Sequence, residues 1–171
     1  MTYQGMPKAG YWAMSLLKKL HKIEMARGDG YLVTRSSDQK KIQICLWHYS
    51  HDDREKRIRV PLTPDEFCTL ERYSSLQDQG VRSFRIHLSG LQEGKYTKET
   101  WSVSRAQGSA YDHWMNMGSP KMLSVPQQKY LAQIAIPAYQ YEPVRVRENG
   151  KLVISAVLDV LEVQIICLEK R

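Results

Sequence analysis

The apolar positions near the start of the chain recur at the spacing of an amphipathic helix. The stripe consists of Tyr11, Trp12, Met14, Leu16, Leu17, Leu20, Ile23 and Met25. This spacing puts the side chains on one broad face of a helix. Lysines lie off the stripe or near its end, where cations suit the helix dipole, and Gly28-Asp29-Gly30 predicts the stop. We therefore predict an N-terminal helical segment over residues 1–28.

Beyond residue 28 the pattern changes to the alternation that is typical of strands. In the clearest run, Phe84, Ile86 and Leu88 alternate with polar neighbours. Predicted strands cover residues 31–35, 41–49, 58–62, 81–88, 95–104, 144–147, 152–158 and 162–169. Short strands separated by turn signals predict a β-sandwich over residues 29–171. The fold class is thus mainly β, an antiparallel β-sandwich with an N-terminal amphipathic helix and one or two short helices.

Three connections carry local signals of their own. Thr63-Pro64-Asp65-Glu66 has the sequence of a capping box and predicts a short helix to about Leu70. The segment Glu148-Asn149-Gly150 separates two alternating runs and predicts a hairpin. Residues 110–131 combine aromatic side chains with a Gly-Ser-Pro turn and enter a short capped helix that ends before Ile136-Pro137. This last segment has two interpretations, a ligand-binding loop or a connection between two sheets.

Composition and charge narrow the class of protein. The chain has 171 residues, a formal net charge of +7 and 42% hydrophobic residues, which suits one domain, or one domain with a flanking element. Its basic residues are dispersed, and tracking of phosphates needs them clustered, so we expect no direct contact with nucleic acid. No apolar run approaches the roughly 20 residues that span a bilayer, and no signal peptide is evident. Together with three unpaired cysteines, Cys45, Cys68 and Cys167, this predicts a soluble, cytoplasmic protein.

The residues that carry catalysis in other proteins form no recognisable set in this sequence. His48 and His51 have no third metal ligand nearby, and we predict no metal and no cofactor. Ser109 with Asp112-His113 contains the residue types of a catalytic triad, but neighbours in sequence do not align into its relay. We predict no catalytic residue.

Three aromatic side chains are candidates for carbohydrate binding, namely Trp101, Tyr111 and Trp114. Aromatic faces suit the C–H groups on the face of a pyranose ring. The competing interpretation is that they fill the core or an interface, because aromatic side chains contribute large buried areas.

Nine segments, taken in order, resemble the carboxy-terminal part of glycoside hydrolase family 39, the β-xylosidase family. They are residues 10–20, 30–35, 41–49 with Trp47-His48-Tyr49 at the strand end, 94–96, 108–114, 117–120, Leu131, Pro137 and 158–168. In that family a final barrel helix leads into a β-sandwich. The resemblance implies that residues 1–28 correspond to the barrel helix and residues 29–171 to an accessory β-sandwich. It extends to the version of this region at the end of bacterial AraC-type regulators.

The resemblance also implies what the chain does. The family's two catalytic glutamates, one of them in an Asn-Glu-Pro motif, lie in a (β/α)8 barrel that this sequence does not contain. We therefore expect a non-catalytic accessory domain that packs on and stabilises the barrel of a glycosidase or regulator. Its predicted interface residues are Trp12, Leu16 and Leu20, facing outward or onto a partner. The alternative is a carbohydrate-binding module, and homo-oligomer formation and an oligosaccharide ligand are left open.

Overall fold

A computed structural model describes residues 5–49 and 80–171 of the chain. The helices are α1 (Ala9–Leu17), α2 (Tyr111–Asn116) and α3 (Val125–Ile134). The strands are β1 (Ile23–Gly28), β2 (Tyr31–Arg35), β3 (Lys41–His48), β4 (Arg82–Leu88), β5 (Gly94–Val103), β6 (Ala138–Val146), β7 (Leu152–Leu158) and β8 (Glu162–Lys170). The predicted strand at 58–62, the capping box at Thr63, His51 and Cys68 lie outside the described residues.

The strands form two antiparallel sheets. The larger has the order β1-β2-β3-β8-β5-β6, and the smaller pairs β4 with β7. The predicted fold class, mainly β with an N-terminal helix and short helices, is confirmed.

The main core lies between the two sheets and follows from alternation along each strand. The larger sheet contributes Val33, Ile42, Ile44, Leu46, Tyr96, Val146, Ile166 and Leu168, and the smaller contributes Leu88, Ile154, Ala156 and Leu158. Because every second side chain of a strand faces the same way, one face of each sheet is apolar. Each of the larger aliphatic side chains contributes about 1.5–3 kcal/mol on full burial.

A second core lies on the opposite face of the larger sheet, beneath α1. Leu16 of the helix packs with Cys45, Val103 and Ile165 of β3, β5 and β8. The larger sheet is therefore covered by β4 and β7 on one face and by α1 over part of the other.

The N-terminal helix is shorter than predicted. It ends at Leu17, and residues 23–28 form β1, an edge strand paired with β2 across a bulge between Glu24 and Ala26. The prediction of a helix to residue 28 was wrong because Ile23 and Met25 fit a two-residue period as well as a helical one. Gly28-Asp29-Gly30 joins two strands of a hairpin rather than stopping a helix.

The hairpin predicted at Asn149-Gly150 is also wrong. The strand before this turn, β6, pairs with β5, and the strand after it, β7, pairs with β4. The turn therefore carries the chain from the larger sheet to the smaller one. Gly150 has φ +61°, and its carbonyl accepts a hydrogen bond of 3.0 Å from the Leu91 N–H. That contact holds the turn against the loop between β4 and β5.

The predicted capped helix before Ile136-Pro137 is confirmed as α3. Ser124 is its N-cap: its hydroxyl accepts from the Gln127 N–H at 3.5 Å, and its own N–H donates to Gln127 Oε1 at 2.8 Å. This reciprocal pair is a capping box. Leu131, 1% exposed, anchors the helix. The long connection over residues 104–137 joins β5 and β6, which are neighbours in one sheet, and not strands of two different sheets.

Candidate interaction surfaces

Two of the predicted interface residues, Trp12 and Leu16, lie on the inner side of α1, and the third, Leu20, follows the helix. Leu16 is 4% exposed and packs on the chain's own sheet, so the prediction that it faces outward is wrong. Trp12 and Leu20 are half-buried against the same cluster. The physical reason is helical periodicity: residues four apart share a face, and this face carries the bulk that covers the sheet.

The opposite side of α1 is apolar and open to solvent. Tyr11, Met14 and Leu17, which we call the outer α1 surface, are 51%, 63% and 40% exposed. Ile23 and Met25 of the edge strand that follows in sequence are exposed as well. The broad stripe noted in the sequence is thus divided between a buried side and a solvent-facing side. Scattered exposed apolar residues are ordinary, but a contiguous helix face of this kind is typical of a contact surface.

Of the three candidate carbohydrate residues, Trp101 stands apart on β5. Its ring lies 5.3 Å from that of Tyr139 at an interplanar angle of 40°, and Lys19 Nζ lies 4.1 Å from its centroid. The ring also packs in the cluster beneath α1. Trp101 therefore links the helix to the edge of the sheet.

The other two candidates, Tyr111 and Trp114, lie together on α2. Their ring centroids are 6.0 Å apart with an interplanar angle of 44°, so the two rings do not form one flat platform. Tyr111 packs against Val160, and the Trp114 indole donates to the Pro120 carbonyl at 3.1 Å. The structure thus brings two of the three predicted residues together and gives Trp101 different neighbours.

Asp112 and His113 hold the connection between β5 and β6 in place. His113 Nε2 lies 3.0 Å from the Ala106 carbonyl, which only accepts, so Nε2 donates there, and Nδ1 lies 2.9 Å from the Tyr130 hydroxyl. Asp112 Oδ2 accepts from Arg105 Nε at 2.5 Å. Both side chains therefore act as loop ties.

The remaining polar groups considered in the sequence are dispersed. Burial raises the pKa of the Cys45 thiol to about 11. Burial also raises the pKa of the Cys167 thiol, and the neighbouring Glu99 adds to that rise. His48 is buried at the end of β3, and its Nδ1 has no hydrogen-bond partner among the residues that the structure describes. No group of three His, Cys, Asp or Glu side chains in residues 5–49 and 80–171 is arranged to hold a metal ion. No helix within these ranges is long and apolar enough to cross a membrane.

A further surface escaped the sequence analysis because β6 begins at Ala138 rather than at residue 144. On the face shared with α1, Tyr139 pairs across the strands with Trp101, Tyr141 with Glu99, and Arg145 with Lys95. We call Lys95, Glu99, Tyr139, Tyr141 and Arg145 the outer β5–β6 surface. Tyr139 and Tyr141 are 53% and 51% exposed. Partial burial is the main cause that raises the pKa of Tyr139, and the nearby Glu99 and Tyr141 raise this pKa further.

Comparison with known proteins bears on the fold. No protein-family model matches this chain, and no curated protein matches it. Solved structures do. A GH39 enzyme from Xanthomonas axonopodis pv. citri superposes with a TM-score of 0.76 at 16% identity, over 98% of this chain and 31% of that enzyme. A monomeric β-xylosidase from Caulobacter crescentus CB15 superposes with a TM-score of 0.77 at 19% identity, over 98% of this chain and 32% of that enzyme.

A third match, the bacterial orthologue of human α-L-iduronidase, has a TM-score of 0.68 at 15% identity, over 97% of this chain and 28% of that one. The chain has the fold of one region of GH39 enzymes. The resemblance predicted from the sequence is confirmed at that level. The chain spans about a third of the length of the enzymes that it matches.

Proposed function

We propose that this chain is a non-catalytic accessory β-sandwich domain of a family-39-like glycosidase, where it packs on and stabilises a (β/α)8 barrel. The observation that carries the proposal is the match of nearly the whole chain to about a third of GH39 enzymes. The remaining two thirds of such an enzyme are long enough for a barrel of typically about 250 residues.

The distribution of carboxylates supports a non-catalytic role. Hydrolysis of a glycosidic bond generally needs two carboxyl groups on either side of one bond. Several of the described carboxylates instead pair with cations at separate places, among them Glu24–Arg27, Asp29–Arg82, Asp112–Arg105, Glu142–Lys98 and Glu169–Lys41. Chemistry would therefore come from another part of the protein.

The outer α1 surface is the docking face in this proposal. Tyr11, Met14 and Leu17 protrude from a helix whose other side is already anchored on the sheet through Leu16. A rigid, preformed apolar face loses little conformational entropy on binding. The sequence-based interface set of Trp12, Leu16 and Leu20 would then act indirectly, by fixing α1 on the sandwich.

The test uses the polypeptide encoded immediately upstream of residue 1, expressed separately and mixed with this chain. We expect the two to co-elute, and Met14→Glu to weaken their association at least about tenfold, since a charge would enter an apolar contact. Val157→Glu is the matched control, because Val157 is 58% exposed on β7, against 63% for Met14. Absence of association, or equal effects of the two variants, would contradict the docking face. Turnover of aryl β-xylosides by the chain alone would contradict the non-catalytic role.

A sugar-responsive AraC-type regulator that carries the same region is the second candidate parent. The docking argument applies to it unchanged, because it depends only on α1. The upstream sequence separates the two: a barrel with an Asn-Glu-Pro motif indicates the enzyme, and a helix-turn-helix pair indicates the regulator. Carbohydrate binding by Trp101, Tyr111 and Trp114 as one set finds less support, because they lie on β5 and α2 with different ring partners.

A further inference from the structure

We propose that the outer β5–β6 surface binds an acidic oligosaccharide, with uronic-acid carboxylates held by Lys95 and Arg145 and sugar rings stacked on Tyr139 and Tyr141. This inference is independent of the accessory role, since it concerns exposed side chains of β5 and β6 and not the side chains of the outer α1 surface.

The first argument is the pairing of like charges. Lys95 and Arg145 lie directly opposite each other on β5 and β6, and both are exposed. Like charges in that position destabilise a sheet. No ion pair relieves them within the described part of the chain. A bound carboxylate would relieve the repulsion, and a guanidinium is suited to bidentate binding of a carboxylate.

The second argument is the aromatic character of the same face. Tyr139 and Tyr141 are two residues apart, so their Cα atoms lie about 7 Å apart on the same side of the strand. Tyr139 is fixed by its ring contact with Trp101, which in turn lies beneath Lys19 Nζ. Arg171 Nη2 donates to the Tyr141 hydroxyl at 3.2 Å and adds a third cation. The rings are therefore held in place while about half of each remains accessible.

The length of the surface indicates an oligomer rather than a single sugar. From Tyr139 to Arg145 the strand extends about 20 Å at about 3.4 Å per residue. A row with aromatic rings toward one end and the Lys95–Arg145 pair at the other matches a ligand that carries both apolar ring faces and carboxylates. Glu99 lies opposite Tyr141 and offers an acceptor for sugar hydroxyls.

The chemistry favours a sugar over a nucleic acid. Tracking of phosphates needs a continuous run of cations, and here the Glu99 carboxylate lies between the Lys95–Arg145 pair and the Trp101–Tyr139 pair. Glu99 would repel a phosphate next to the aromatic positions. A chain with hydroxyls at one place and a carboxylate at another avoids this repulsion.

The experiment is calorimetric titration of the full chain with tetragalacturonate, and with its fully methyl-esterified form as the neutral counterpart. We expect the acid to bind at least about tenfold more tightly than the ester, because esterification removes the charge from the groups that Lys95 and Arg145 would bind. Arg145→Gln should weaken binding of the acid about tenfold, and Tyr141→Ala should weaken binding of both forms.

Two exposed residues elsewhere serve as matched controls. Tyr49→Ala removes a ring that is 54% exposed, against 51% for Tyr141, and Arg85→Gln removes an exposed arginine from β4. Neither should change binding, and circular dichroism should show all four variants folded. Failure of tetragalacturonate to bind at millimolar concentration, or equal effects of variants and controls, would overturn the proposal. If a thymidine tetranucleotide binds more tightly than tetragalacturonate, and Tyr141→Ala leaves that binding unchanged, the surface binds polyanions in general and the proposal of an oligosaccharide site is overturned.

Discussion

Gly150→Ala tests the turn that carries the chain between the two sheets. An alanine at φ +61° costs roughly 1–2 kcal/mol in backbone conformation. Its Cβ would in addition lie 2.7 Å from the Leu91 carbonyl oxygen. That atom belongs to backbone held by the hydrogen bond from the Leu91 N–H to the Gly150 carbonyl, so it has little freedom to move. Forced overpacking of this kind costs a further 1–3 kcal/mol or so.

The expected loss of unfolding free energy for Gly150→Ala is thus about 2–5 kcal/mol, measured by urea unfolding. With a slope of about 2 kcal/mol per molar urea, the midpoint should fall by about 1–2.5 M. Gly90→Ala is the matched control: its φ is +72°, but no atom lies within 4 Å of the added Cβ. Gly90→Ala should lose only the part of the unfolding free energy that comes from placing alanine at a positive φ. Both variants gain the same small amount of stability, because alanine makes the unfolded chain stiffer than glycine does. Equal losses in the two variants would refute the steric argument.

Two further predictions concern the capped helix and a buried thiol. Ser124→Ala should lower the unfolding free energy by about 1 kcal/mol, because the Gln127 N–H loses its acceptor. Ser155→Ala, at an exposed position, should change the unfolding free energy by no more than about 0.5 kcal/mol. Equal losses of the two variants in urea unfolding would contradict the capping role of Ser124. Burial raises the pKa of Cys45 from 9.0 to about 11, so its stabilising contribution is complete below pH 9 and is lost as the pH rises through about 11. The fall in the urea midpoint between pH 8 and pH 10.5 should therefore be smaller in Cys45→Ala than in the unmodified chain, and an identical fall would count against burial of a neutral thiol.

Much of the sandwich could be predicted from the sequence because half-buried strands alternate strongly. The runs around Ile44, Ile86 and Ile154 each place apolar residues on one face, and the structure buries that face. The capping box at Ser124 was equally local and equally informative. Where a signal depends on neighbours within a few residues, the sequence contains what decides the structure.

The edges of the larger sheet were harder to predict for a physical reason. An edge strand needs no buried face, and β1 and the first half of β6 are largely exposed. Ile23 and Met25 therefore fitted a helix as well as a strand. Tyr139 and Tyr141 carried a two-residue period that extended the strand toward Pro137, but no apolar pattern accompanied it.

The partners of the turn at Gly150 and of Trp101 depend on sheet order, which no local pattern encodes. Asn149-Gly150 favours a hairpin, but β6 finds its partner in β5 and β7 in β4. Trp101 meets Tyr139 because those two strands align in that register. The candidate surfaces of this chain therefore emerge from long-range pairing. Their residue types were visible in the sequence, but their grouping was not.

The position of β8 has a consequence for synthesis of the protein. This strand, Glu162–Lys170, lies between β3 and β5, so it bridges one half of the larger sheet to the other. Until it has left the ribosome, β3 and β5 each present an open edge of unpaired backbone groups, which is a template for association with other chains. We expect nascent chains that stop before residue 162 to remain bound to chaperones or to aggregate. Folding of this domain should then be a late event that follows translation of its final strand, however early the N-terminal hairpin forms.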